Sequence, residues 1–138
     1  MIPAEALVVL RAAQARDGAP NLKQRRALLL SLARVMKARA QDIMAVLDAE
    51  YEGRAPIETL LADVLLVADA ALYARRNLWH WMRPRRVTVP YPFWPARARE
   101  EFVPKGVIGI MAPWNYPVQL ALLPAIDAIA AGNRVCVK

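Results

Sequence analysis

The chain has 138 residues, of which 57% are apolar, and 19 lysines and arginines against 12 acidic residues give a formal charge of +7. The apolar fraction excludes a disordered chain, and a single cysteine excludes an internal disulfide scaffold and points to a reducing compartment. The length suits about one domain with a real core.

The start, Met1-Ile2-Pro3-Ala4-Glu5, lacks a basic leader, and the apolar run Ala6 to Leu10 stops at Arg11, so no export signal is expected. Ala4 to Arg16 reads as a helix closing near Asp17-Gly18. Asn21 can cap a second helix by accepting an early backbone amide. Leu28, Leu32, Val35 and Met36 recur at helical spacing, which predicts an apolar face there with Arg25, Arg26 and Arg34 outside. Ile43, Val46, Leu47 and Tyr51 carry the pattern to Gly53, a suitable helix end. Pro56 can open the next helix. Its stripe runs from Ile57 through Leu60, Leu61, Val64, Leu65, Ala68, Leu72 and Leu78 to Trp79 and Met82, about 39 Å of helix. Pro84 ends it by disfavouring helix at Arg83.

The period then changes. Arg86-Val87-Thr88-Val89 alternates, Pro90, Pro92 and Pro95 interrupt, and Arg97 to Val103 returns, which predicts a hairpin with a long connection. Val107 to Ala112 is a continuous apolar strand, as expected when both sheet faces are covered. Pro117 starts a helix running to Ala131 with a kink at Pro124, and Gly132-Asn133 stops it. Arg134 to Lys138 is a further strand, parallel to the first with a right-handed crossover. Gly106 to Ile126 carries no charge and is long enough for a bilayer. Its three prolines, with Asn115 and Gln119, favour a buried strand and helix over a membrane segment. The fold class is α/β, in three regions: helices over 1–83, a hairpin arm over 84–104, and a strand–helix–strand unit over 105–138.

These residues also carry a family resemblance. Pro104-Lys105-Gly106-Val107-Ile108-Gly109-Ile110, Pro113-Trp114-Asn115-Tyr116-Pro117, Ala130-Ala131-Gly132-Asn133 and Val137-Lys138 resemble, in order and spacing, the aldehyde dehydrogenase superfamily. Tyr51-Glu52-Gly53-Arg54, the long helix and Trp81-Met82-Arg83-Pro84-Arg85-Arg86-Val87 resemble its class 3 branch, coniferyl aldehyde dehydrogenases especially. The likeness covers most of the chain and is weakest over the first twenty residues.

The resemblance implies that 105–138 begins a Rossmann-like NAD(P)-binding domain within an incomplete aldehyde dehydrogenase fold. It implies oxidation of an aldehyde, coniferyl or another aromatic or fatty one, to the acid by a thiol and NAD or NADP. Asn115 matches the family's oxyanion-stabilising asparagine, although spacing alone favours a cap on the helix at Pro117. Ala112, Pro113 and Trp114 match the segment lining the cofactor, and Lys138 the lysine on the adenosine ribose or its 2′-phosphate. Tyr116 matches a substrate-channel position, with packing at a helix start as its other reading. The catalytic cysteine and glutamate of the family are absent, so the chain alone is expected to be an inactive fragment of a cytoplasmic, homo-oligomeric enzyme. Cys136, between Val135 and Val137 in an apolar strand, does not suit the nucleophile. His80 has no partner histidine, and no metal site is expected.

Two other readings remain. Arg75 to Lys105 holds eight basic residues against Glu100 and Glu101, interleaved with Trp79, Trp81, Tyr91, Phe93 and Trp94, which could bind nucleic acid, but no recognised motif accompanies the charge. The chain could also act as a non-catalytic partner of full-length subunits through its long helix.

Overall fold

The structure, a computed structural model, describes residues 3–138; the leader-free reading of Met1 and Ile2 lies outside them. Helices α1 (Pro3–Asp17), α2 (Leu22–Ala38) and α3 (Ala40–Glu50) come first. A short α4 (Pro56–Glu58) runs through a π-helical turn (Thr59–Leu65) into α5 (Leu66–Trp81). Strands β1 (Arg85–Val87) and β2 (Ala98–Glu100) follow, then β3 (Val107–Ile110), α6 (Pro117–Ala130) and β4 (Arg134–Val137). The order matches the sequence pattern except that the helix read from Asn21 to Gly53 is broken at Arg39, whose backbone leaves the helical region, into α2 and α3.

Asn21 caps α2 as expected. Its side chain accepts the Gln24 amide at 3.0 Å, and the Gln24 side chain accepts the Asn21 amide at 2.8 Å, a reciprocal capping box. Asn21→Ala removes one half of this pair and should cost about 1 kcal/mol in urea unfolding.

The core lies between α2, α5 and α6. Leu29, Val64, Val67, Leu78 and Ile126 are fully or almost fully buried. Ala68, Ala71 and Ala74 give α5 a narrow side on which α2 and α6 approach closely. The buried face of α2 differs from the expected one. It holds Arg25, Leu29, Ala33 and Met36, while Leu28 and Val35 are half exposed. Leu28-Leu29-Leu30 is apolar throughout, so periodicity could not choose between neighbouring stripes there.

Arg25, expected outside, is buried because the structure gives its guanidinium two carbonyls. It donates from Nε to Pro20 O at 2.6 Å and from Nη1 to Ala130 O at 3.0 Å. The second acceptor lies at the C-terminal, electronegative end of α6. Burial lowers the Arg25 pKa from its ordinary value. Gly132 sits against it with φ +89°, and an added Cβ would come within 2.3 Å of Arg25 Nη2. Gly132→Ala therefore combines a strained backbone with a displaced, hydrogen-bonded guanidinium. A loss of about 1–3 kcal/mol in urea unfolding is expected.

The long helix also presents a different face from the expected stripe. Ile57, Leu61, Trp79 and Met82 are exposed, and Thr59, Asp63, Val67, Ala71 and Ala74 are buried with Val64, Ala68 and Leu78. The π-helical turn is the cause: the Leu66 amide reaches back five residues to Leu61 O, so the residues before and after it do not share one α-helical register.

The strands form two separate pairs among the described residues. β1 and β2 are antiparallel, with Arg86 opposite Arg99, and every residue of both is exposed. Their pairing is shorter than the sequence suggested, and the proline-rich connection contains a 3-10 turn at Tyr91–Phe93. Several arginines of the basic stretch are engaged locally: Arg83 lies over the Trp79 ring, Arg85 over Phe102, and Arg99 pairs with Glu101 at 2.7 Å.

β3 and β4 are parallel, from Val107 opposite Arg134 to Ile110 opposite Val137, and both α1 and α6 pack on them. Complete burial of β3 was expected and is not observed. Ile110 is buried, Val107 and Ile108 are half-buried, and Gly109 is exposed, because β3 pairs only with β4 among the described residues. The uncharged stretch from Gly106 to Ile126 is divided between β3, a loop and α6, and no described helix is long and apolar enough to cross a membrane.

Candidate active site

The carboxyl ends of two parallel strands, with a helix entering beside them, are where open α/β sheets receive ligands. Here the ladder runs one step beyond the strands. Lys138 donates its amide to Ile110 O at 2.9 Å, and Ala112 donates to Lys138 O at 3.1 Å. Ala112 and Lys138, far apart in sequence, therefore lie side by side at that edge. Lys138 is exposed, with its ammonium outside the ladder.

Pro113, Trp114 and Asn115 form an exposed loop from this edge to α6, and Trp114 is 79% exposed. The Asn115 side chain has no hydrogen-bond partner among the described residues, so it does not cap α6. That role belongs to Asp63. Its Oδ1 accepts the Gln119 amide at 2.8 Å, one of the N-terminal amides of α6 that the helix itself cannot satisfy. A carboxylate there also meets the positive end of the helix.

Side chains from the α3–α5 region grip the loop. Tyr51 donates its hydroxyl to Trp114 O, and Arg54 donates Nη1 to Asn115 O at 3.3 Å. The Arg54 side chain is 7% exposed. Its Nη2 lies 3.1 Å from Oδ2 of fully buried Asp63 and 3.5 Å from Oε1 of Glu58, and the 3.1 Å contact is an ion pair without hydrogen-bond alignment. The guanidinium also lies 4.5 Å from the Tyr116 ring centre and 5.4 Å from that of Tyr51.

Tyr116 is half-buried and donates its hydroxyl to Glu58 Oε1 at 2.9 Å. This hydrogen bond, and then the nearby Glu58 charge, raise the phenol pKa above its ordinary value, so the donor keeps its proton.

The residues singled out in the sequence thus fall together: Ala112, Pro113, Trp114, Asn115, Tyr116 and Lys138 all lie at one end of β3–β4. Cys136 does not join them. It is half-buried within β4 opposite Gly109, rather than deeply buried. His80 is exposed near the end of α5, and no cluster of three or more metal-ligating side chains occurs among the described residues.

Pattern reading assigned no site role to Tyr51, Arg54, Glu58 or Asp63. One signal was present: Asp63 is an acidic residue set among Leu60, Val64 and Val67, where an inward carboxylate needs a partner.

Residues 5–138 match the profile of the aldehyde dehydrogenase family. The chain is 36% identical over 128 residues to a "Probable coniferyl aldehyde dehydrogenase" of Pseudomonas aeruginosa, covering 93% of this chain and 27% of that protein. The solved substrate-bound state of AldH from Staphylococcus aureus superposes with a TM-score of 0.89 at 27% identity, over 99% of this chain and 30% of that one. An NAD-dependent benzaldehyde dehydrogenase from Corynebacterium glutamicum gives 0.77 at 23% identity, over 93% and 27%, and shares the fold. The chain spans little more than a quarter of the length of the curated relatives it matches.

Proposed function

The chain belongs to the aldehyde dehydrogenase family, and from that premise we propose that it supplies the oxyanion and cofactor sides of an NAD(P)-dependent site oxidising an aldehyde to its acid. The observation that carries this reading is the exposed, uncapped Asn115 at the carboxyl edge of β3–β4, beside Ala112 and Lys138. In this reading 105–138 opens the dinucleotide-binding domain, 1–83 is its helical buttress and 84–104 an arm.

When a thiolate adds to an aldehyde carbon, a carbon–sulfur bond forms and the carbonyl electron pair moves onto oxygen. The Asn115 amide donates to that oxygen. An amide does not titrate in this range, so it stabilises the charge without taking up a proton. It is most useful where charge develops, which lowers the barrier rather than merely tightening substrate binding. Tyr116, beside it, borders the aldehyde with its ring while Glu58 holds its hydroxyl.

The residues present fit a nicotinamide dinucleotide. The exposed Lys138 ammonium suits ribose hydroxyls or a 2′-phosphate, and Ala112 and Pro113 offer a low apolar wall without bulky side chains. Trp114 adds an exposed aromatic face. The bound nicotinamide would supply the hydride acceptor.

The reacting thiol and the base that activates water come from outside these 138 residues, since Cys136 lies within β4 rather than in the edge loop. Aromatic aldehydes of the coniferyl type are the proposed substrates, following the named relatives. A free reactive thiol suits the reducing cytoplasm. The exposed aromatics Tyr91, Phe93 and Trp94 on the arm are surface that a homo-oligomer would cover.

The test is aldehyde-dependent reduction of NAD and NADP by the full gene product and by residues 1–138 alone. Thiol-sensitive turnover by the first and none by the second is expected. Turnover by residues 1–138 alone would contradict the assignment of the thiol.

A further inference from the structure

We propose that Tyr51 and Arg54 are positioning residues for Asn115, holding its backbone from both sides so that its Cα–Cβ bond points in one direction; the catalytic consequence rests on the function proposed above. The carbonyls they hold are those of Trp114 and Asn115. These belong to the two peptide planes that meet at the Asn115 Cα. Peptide planes are rigid, so fixing both fixes φ and ψ of Asn115. An exposed loop residue otherwise samples several backbone wells, each aiming the amide elsewhere.

The holders are themselves anchored. Arg54 is pinned by fully buried Asp63 and by Glu58, and its guanidinium spans the Tyr51 and Tyr116 rings. Asp63 simultaneously fixes the start of α6 through the Gln119 amide. The loop is therefore tied at its middle and at its exit by one connected set of side chains. The π-helical turn contains Asp63 and Thr59, both fully buried, and sets the inward direction of the carboxylate. Such turns often occur at functional sites. A lysine at 54 could not reproduce the arrangement, because one ammonium lacks the planar fork that meets Asp63 and Asn115 O together.

Tyr51→Phe is the mild variant, since it deletes only the hydroxyl. Arg54→Met and Arg54→Lys are the stronger ones. In the full gene product, kcat should fall on the order of 10- to 100-fold with little change in KM, and Arg54→Lys should not rescue it. The decisive readout is a double-mutant cycle: in an Asn115→Ala background the same substitutions should produce no further fall. Hydrogen exchange on the full gene product is the activity-independent check. Tyr51→Phe should speed exchange at Trp114, Asn115 and Tyr116 while the α5 amides from Val67 to Leu78 stay unchanged. Additive losses of kcat, or unchanged exchange in the loop, would overturn the proposal. A gene product inactive toward every aldehyde but showing the local exchange response would defeat the functional reading and leave the clamp supported.

Discussion

Asn115→Ala should lower kcat for aldehyde oxidation by the full gene product about 10²–10³-fold, a loss of roughly 3–4 kcal/mol of transition-state stabilisation. KM should change little, because the ground-state carbonyl oxygen carries only part of the charge that the amide meets later. Asn115→Asp should be at least as damaging. It keeps the shape but replaces a donor with a negative group where negative charge develops. Stability should hardly move in either variant, since Asn115 is exposed and its side chain bonds to no described residue. Steady-state kinetics beside urea unfolding separate the two effects. A large loss of stability with unchanged kcat would assign Asn115 to the fold rather than to the reaction.

Asp63→Ala should have the largest effect on stability, lowering the unfolding free energy by about 3–5 kcal/mol. The carboxylate is fully buried and faces a guanidinium whose side chain is 7% exposed. Removing it leaves Arg54 buried with only half-exposed Glu58, at 3.5 Å, as a counter-charge. It also leaves the Gln119 amide without its acceptor. The desolvation penalty of the remaining charge dominates this cost, so a second change should recover part of it. Asp63→Ala with Arg54→Met should be more stable than Asp63→Ala alone, as judged by the urea midpoints. A double variant less stable than the single one would show that Arg54 packs the site rather than burdening it.

The order of elements was legible in the sequence because it rests on local signals. The Asn21 cap, the stop at Gly53, the start at Pro56 and the break at Gly132-Asn133 each act within a few residues. What failed was the choice of buried face. Three consecutive leucines at 28–30 left α2 ambiguous, and Arg25 was placed outside because helical spacing put it off the apolar stripe chosen there. Its acceptor at Ala130 lies 105 positions away. In the long helix, an apolar stripe assumes one period throughout, and the π-helical turn breaks that assumption between Thr59 and Leu65.

The candidate site divides in the same way. Ala112 to Tyr116 and Lys138 stood out through motif resemblance, and the parallel pairing of β3 with β4 brings them to one edge. The residues that hold the loop were not marked as site residues, although Tyr51 and Arg54 lie in a stretch that carries the resemblance. Tyr51, Arg54 and Asp63 act on atoms more than fifty positions away, through backbone carbonyls and an amide that carry no side-chain identity. Contacts to the main chain leave no pattern at the receiving position.

The central claim is that the Asn115 amide meets the oxygen formed when a thiol adds to an aldehyde at the β3–β4 edge. A crystal structure of the full gene product carrying a trapped aldehyde adduct tests it most directly. The account predicts Asn115 Nδ2 at about 2.7–3.1 Å from the adduct oxygen, with Tyr51 and Arg54 still on the two flanking carbonyls. An adduct oxygen held by other donors, with the Asn115 amide turned away beyond about 4 Å, would contradict it.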